Sequence, residues 1–216
     1  CGLVSILVHE YGHGLMSMVF GCSPSIVLWG MGGLCYSQAE RQSPGQRLAV
    51  VLAGPAAGFG LYFLVMLAFS ALYGVTAAEH LSISELVLNI RPNWEYVIAA
   101  RQKFPGTVAF DVYLSLININ LMWSLINLLP IWPLDGGQAT QILLSFYDRY
   151  RGPRWGHIIS LLVAGGLAIM ALAQGSDNVF RALFLGYFAM INFQMLQSLH
   201  QAHSMGLYQE DDWWRR

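Results

Sequence analysis

The chain opens on CGLVSILVHEYGHGLMSMVF, residues Cys1 to Phe20. Wound as a helix, twenty residues span about 30 Å, the thickness of a bilayer's hydrocarbon core. Only His9, Glu10 and His13 interrupt its apolar character. Further along the chain, Leu48–Tyr73 carries no charge, and neither does Val112–Ile131, although the latter holds three asparagines. Ile158–Ala173 is apolar and glycine-rich, and Val179–Leu199 carries only Arg181. These runs predict five membrane-spanning helices, the fourth of them short. The expected fold is an all-α, polytopic transmembrane bundle forming one core over residues 1–216, with no PDZ or other soluble domain.

Composition agrees with that reading. Of the 216 residues, 56% are hydrophobic and 11% are charged, against about 25% charged in an average soluble domain. A formal net charge of −1 supplies no field to draw in phosphate, which argues against a nucleic-acid partner. Lys103 is the single lysine. Arginine and lysine in the loops set orientation in a membrane. Seven (Arg41, Arg47, Arg149, Arg151, Arg154, Arg215, Arg216) fall on the side where the first helix ends, and four (Arg91, Arg101, Lys103, Arg181) on the other. That bias predicts a cytoplasmic C-terminus, in the inner cell membrane if the source is bacterial. Because the first run begins at Cys1 with no charged flank, an upstream segment is expected.

His9-Glu10-Tyr11-Gly12-His13 fits the pattern H-E-x-x-H. Two histidines four apart on a helix share one face a turn apart, where both imidazoles can reach a single metal ion. The intervening glutamate can then take a proton from water at that ion. Composition alone produces this match in roughly half a percent of chains of this kind. Ionisable groups in mid-membrane cost several kcal/mol unless paired, solvated or metal-bound. Three within five residues therefore demand a compensating structure. Ser5, His9, His13 and Ser17 follow at steps of four and draw one polar stripe along the helix.

A catalytic zinc takes three protein ligands, so a third must come from elsewhere. The histidines His80, His157, His200 and His203 are candidates, as are the acids. Glu79, Glu85 and Glu95 fall in what reads as a long solvated outer loop. Asp135 is placed differently, behind Asn127-Leu-Leu-Pro130-Ile-Trp-Pro133-Leu. The two prolines should end the third helix and let an aspartate turn back toward the bundle, where irregular backbone is tolerated beside a cavity. Asp135-Gly136 reads equally well as a plain turn. His9 and His13 lie roughly 10–17 Å from the end of the first helix. An acid behind a helix that ends on the same side can match that depth.

Together the two motifs resemble those of the site-2 protease family of intramembrane zinc metalloproteases. That family pairs H-E-x-x-H with N-x-x-P-x-x-x-x-D-G in a later helix, met here by Asn127, Pro130, Asp135 and Gly136. The resemblance implies that His9, His13 and Asp135 hold Zn²⁺, that Glu10 is the general base, and that Asn127 helps hold substrate or the site geometry. It implies regulated proteolysis of transmembrane protein or peptide substrates in a lipid bilayer. It covers Cys1 to about Gln141, and beyond that point the match is in apolar character alone. Ser25–Tyr36, extended around Gly30, Gly32 and Gly33, resembles the family's membrane-associated β-hairpin, and it also reads as a glycine-rich loop. Gly54 and Gly58 form a small-residue face suited to helix packing. Asn120, Ser124 and Asn127 share a face of the third helix. The closing Trp213-Trp214-Arg215-Arg216 suits a membrane interface. Two rival readings are a catalytically silent membrane zinc-binding or scaffold protein and an ion transporter.

Overall fold

The computed structural model describes residues 1–29, 32–36, 42–149, 151–175 and 178–204, with backbone alone for 25–29, 32–36 and 203–204. Gly30, Arg41 and the Trp213–Arg216 tail lie outside the described residues. The elements run α1 (Gly2–Val19), β1 (Ser25–Trp29), β2 (Gly32–Tyr36), α2 (Pro44–Tyr73), α3 (Ala77–Val87), α4 (Trp94–Gln102), α5 (Thr107–Asn127), α6 (Asp135–Tyr147), α7 (Gly152–Ala173) and α8 (Val179–Ser204). They fall into two compact units, residues 1–128 and 129–216.

Four of the described helices, α2, α5, α7 and α8, are long and apolar enough to cross a membrane. This corrects the count of five expected from the sequence. By its own length and composition α1 falls short, because His9, Glu10 and His13 take up the middle of its 18 residues and offset its leucines and valines. The span expected to be short, α7, begins at Gly152 and is 22 residues long.

In the first unit, α1 is built inside out. Ser5, His9, Glu10, Gly12, His13, Gly14 and Ser17 are buried, whereas Leu3, Val4, Leu15, Met18 and Val19 are exposed. A helix in water does the reverse. A helix in lipid has no reason to hide leucine and every reason to satisfy its polar groups internally. Gln42 Nε2 donates to Ser17 Oγ at 3.1 Å, so the stripe is bonded at its end. The strands β1 and β2 pair antiparallel, with Ser25 opposite Tyr36 and Val27 opposite Leu34.

Helix α2 starts with a Ser43–Gln46 capping box and Pro44 in its first turn, and ends on Gly74 at φ 68°. Both are strong terminus signals. The stretch read as a solvated outer loop holds α3 and α4 instead. Their apolar faces join Tyr62, Val65, Tyr113 and Ile117 in one core. Glu79 is buried there rather than solvated. It accepts from Thr76 N at 2.7 Å and from Lys103 Nζ at 2.6 Å. Burial alone would raise its pKa, but the bonds from Lys103 and Thr76 and the lysine's charge together bring it below the usual carboxylate value.

In the second unit, α6 and α7 run antiparallel at close range. A Cβ on Gly156 would meet the Gln141 side chain, and one on Gly152 would meet Ser145. Ile131, in the segment leading into α6, is fully buried with Ala164 of α7 and Phe188 of α8.

Candidate metal centre

His9 and His13 are both buried on α1, and their Nε2 atoms lie 3.2 Å apart. His13 Nδ1 lies 2.8 Å from the backbone oxygen of Val50 on α2. A carbonyl oxygen only accepts, so Nδ1 carries the proton and Nε2 presents its lone pair toward His9. A backbone carbonyl behind the distal ring nitrogen is the usual outer support of a metal-ligating histidine. Two imidazole nitrogens on one tetrahedral zinc would sit about 3.3 Å apart, given Zn–N bonds near 2.0–2.1 Å. The observed spacing fits that separation. Glu10, also buried, follows His9 directly.

The close approach of α2 makes this arrangement possible. A Cβ on Gly54 would collide with the His13 ring, striking Nε2, Cε1 and Cδ2. One on Gly12 would press into the Ala53 carbonyl and Ala57 Cβ. Pro55, inside α2, has no N–H to donate to the carbonyl four residues back. That carbonyl belongs to Val51, next to the Val50 carbonyl that receives His13. Gly54 and Val50 belong to the candidate site, and the sequence reading misses them because it gives Gly54 a packing role alone. The available signal was a Gly-Pro pair inside an uncharged helix, a combination that weakens the helix unless the close approach serves a purpose.

Asp135 belongs to the second unit. It is buried and is the first residue of α6. The Asp-Gly pair therefore opens a helix, and the alternative reading as a plain turn does not hold. A carboxylate at a helix N-terminus is favoured by the peptide dipoles. Asn127 closes α5 in the first unit, buried, with its Nδ2 donating to Trp123 O at 3.0 Å.

Two of the other candidate ligands are occupied. The two ring nitrogens of His80 lie 2.8 Å from Ser70 Oγ and 2.6 Å from Tyr113 Oη. Burial lowers the pKa of His80, with the charge of Glu79 pulling the other way. His157 is bonded through both ring nitrogens, to Gln141 and Asn192. His200 is exposed, and the side chain of His203 lies outside the described residues. On α5, Asn120 and Ser124 are buried as their shared face predicts. Asn120 Nδ2 bonds its own helix at Leu116 O, 2.8 Å away. Asn120 Oδ1 and Ser124 Oγ have no hydrogen-bond partner among the described residues.

The model of peptidase family M50 matches residues 2–173. The chain belongs to peptidase family M50. The likeness to site-2 proteases read from the two motifs is thereby borne out. This M50 chain is 29% identical over 199 residues to sll0528 of Synechocystis sp., a protein whose name assigns it as a zinc metalloprotease. It is 28% identical over 194 residues to Rip3 of Mycobacterium tuberculosis, which is named in the same way. The alignments cover 90% and 86% of this chain but only 43% and 42% of those relatives, so the chain spans about two fifths of their length. The site-2 protease from Methanocaldococcus jannaschii shares the fold, with a TM-score of 0.53 at 21% identity over 90% of this chain and 74% of that one. With its four apolar helices, the M50 chain is a multi-pass membrane protein.

Proposed function

We propose that this M50 chain hydrolyses peptide bonds within or near the transmembrane segments of protein substrates, as a zinc-dependent protease. The observation that carries the reading is the buried His9–His13 pair, its Nε2 atoms 3.2 Å apart and the far nitrogen of His13 fixed on Val50. His9, His13 and Asp135 would hold the ion, a donor set of two imidazoles and a carboxylate that suits zinc. Zinc, when bound, supplies Lewis acidity toward the scissile carbonyl and a lowered pKa for water.

The remaining chemistry belongs to the chain. Glu10, one residue from the first ligand, takes a proton from the attacking water and delivers it to the leaving amine. Asn127 offers an amide to hold substrate backbone or the site geometry. A substrate helix hides its carbonyls in its own hydrogen bonds, so it must unwind locally. The β1–β2 pair offers an edge where an unwound segment can add as a strand. It is expected to lie at the membrane, with the C-terminus of the chain in the cytoplasm.

The test is the Glu10→Gln variant reconstituted in liposomes with a membrane-protein substrate. Glutamine keeps the shape but cannot take the proton. Cleavage should fall at least about 100-fold while one equivalent of zinc is retained. Undiminished cleavage, or wild-type protein that binds no zinc, would overturn the proposal.

A further inference from the structure

We infer that Ser160 of α7 and Asn192 of α8, backed by His157, are positioning residues that clamp the turn before α6 and thereby aim Asp135. The inference rests on the proposal that Asp135 is a ligand. It extends that proposal to two helices in which the sequence showed only apolar character, and Asn192 lies beyond the span matched by the family model.

The turn from Leu128 to Leu134 has no regular structure of its own. Pro130 and Pro133 remove two of its N–H donors. Ile131 N–H bonds Leu129 O at 2.7 Å and Leu134 N–H bonds Ile131 O at 2.8 Å within the turn, but the peptide groups of Trp132 take their partners from other helices. Its N–H donates to Ser160 Oγ at 2.9 Å, and its carbonyl accepts from Asn192 Nδ2 at 2.7 Å. Ser160 and Asn192 are both fully buried, at 0% exposure.

Each clamp residue is itself fixed. Ser160 Oγ is 2.8 Å from Gly156 O and 3.2 Å from Pro130 O, between which it directs its single proton. Asn192 spends its second amide proton on Phe188 O at 2.8 Å. Its Oδ1 accepts from His157 Nδ1 at 2.8 Å. His157 Nε2 in turn accepts from Gln141 Nε2 at 3.1 Å, which closes the chain of bonds on α6, six residues after Asp135. Ile131 pins the same turn through apolar contact. Gly137 completes the arrangement, because a Cβ there would strike Trp132 N and the Ile131 carbonyl. The first turn of α6 thus rests directly on the clamped peptide, and Asp135 begins that turn. An outer shell of this kind holds a carboxylate in one orientation without touching the ion.

The test measures Co²⁺ affinity and the visible spectrum of Co²⁺ bound to the purified full chain in detergent. The variants are Asp135→Ala, Ser160→Ala, the near-isosteric Asn192→Leu, and Ala168→Gly as a control that loosens α7 away from the clamp. Ser160→Ala removes one oxygen and is the variant most certain to fold. We expect Ser160→Ala and Asn192→Leu to weaken Co²⁺ binding about 10–100-fold and to alter the d–d bands, while Ala168→Gly lowers the melting temperature with its affinity and spectrum unchanged. Affinities for Ser160→Ala and Asn192→Leu equal to wild type, or no lower than that of Ala168→Gly, would overturn the inference and leave the metal site standing. Wild-type affinity and spectrum in Asp135→Ala would instead remove Asp135 from the ligand set, and the clamp's role with it.

Discussion

The two stretches that carry the proposed ligands are secured by different means. His9 and His13 are set by backbone: four residues of one helix fix their spacing, a carbonyl of α2 fixes the ring of His13, and the absence of a side chain at Gly54 leaves the ring its place. Asp135 follows an irregular turn, and that turn is secured by side chains reaching from α7 and α8. A helix face is rigid on its own account, so what it requires of a neighbour is close approach. A non-helical turn closes only some of its hydrogen bonds within itself, here Ile131 to Leu129 and Leu134 to Ile131, and for the rest it depends on the groups it borrows from.

That contrast can be broken at several points. The largest effect belongs to the ligands of the first stretch. His13→Ala should reduce bound zinc to background and cleavage to the level without protein, as read by metal analysis and a liposome cleavage assay. Next comes the support that has no side chain. Gly54→Ala places a methyl on the His13 ring, so zinc affinity should fall about 10–100-fold with overpacking of about 1–3 kcal/mol. If Gly54→Ala binds zinc as tightly as wild type, the first stretch is not held by close approach and the contrast fails.

A smaller effect separates packing from chemistry within the first unit. A Cβ on Gly58 would run into Ser124 Oγ, while Ser124 Cβ would stay 3.5 Å away, an ordinary contact. Gly58→Ala should lower thermal stability in detergent by about 1–3 kcal/mol. Adding Ser124→Ala should restore most of it, because the hydroxyl removed is buried with no hydrogen-bond partner among the described residues and losing it costs little. Equal melting temperatures for the single and double variants would show that the clash is relieved by some other route.

The smallest effect lies away from both stretches, at Glu79 and Lys103. The folded pKa of Glu79 sits below the ordinary carboxylate value of 4.5. Its contribution to stability is therefore complete above that value and is lost as pH falls through the lowered one. Lys103→Met removes a hydrogen bond and a charge that hold that pKa down, so less stability is lost on acidification and the fall in melting temperature should be shallower than in wild type. The change should be about 1 kcal/mol or less, read from melting curves between pH 7 and pH 4.

The same contrast explains what could be read in advance. The histidine pair was legible because a helix converts a spacing of four into a shared face, so His9, Glu10 and His13 stood out as candidates with no knowledge of the fold. Asn118, two residues from Asn120 and so on another side of α5, is exposed. Asp135 was legible as a candidate through its prolines and through resemblance, but its surroundings were not. Ser160 and Asn192 lie 28 and 60 residues from Trp132, and nothing local in an apolar helix marks a serine or asparagine as a partner for a distant turn. Gly54 was seen and undervalued, since a glycine's purpose is the neighbour it admits. The outer loop failed for a related reason. Glu79 reads as solvated until Lys103 and the Thr76 cap are seen to meet it, and a count of five spans neglected how far three ionisable residues depress the apolar character of α1.

The inverted face of α1 also bears on how the chain enters its membrane. An insertion machinery judges a helix by partition, and on insertion scales a central charged residue is worth about +2.5–3.5 kcal/mol against entry. With His9, Glu10 and His13 at its middle, α1 is a poor passenger by itself. Helix α2, uncharged from Leu48 to Tyr73, is a strong one, and it brings the glycines and the carbonyl that receive the polar stripe. The pair should therefore be integrated as a hairpin, with α1 retained only once α2 has arrived. For residues 1–216 translated by themselves, a ribosome stalled before α2 emerges should leave α1 extractable by alkaline carbonate, and one stalled after it should not.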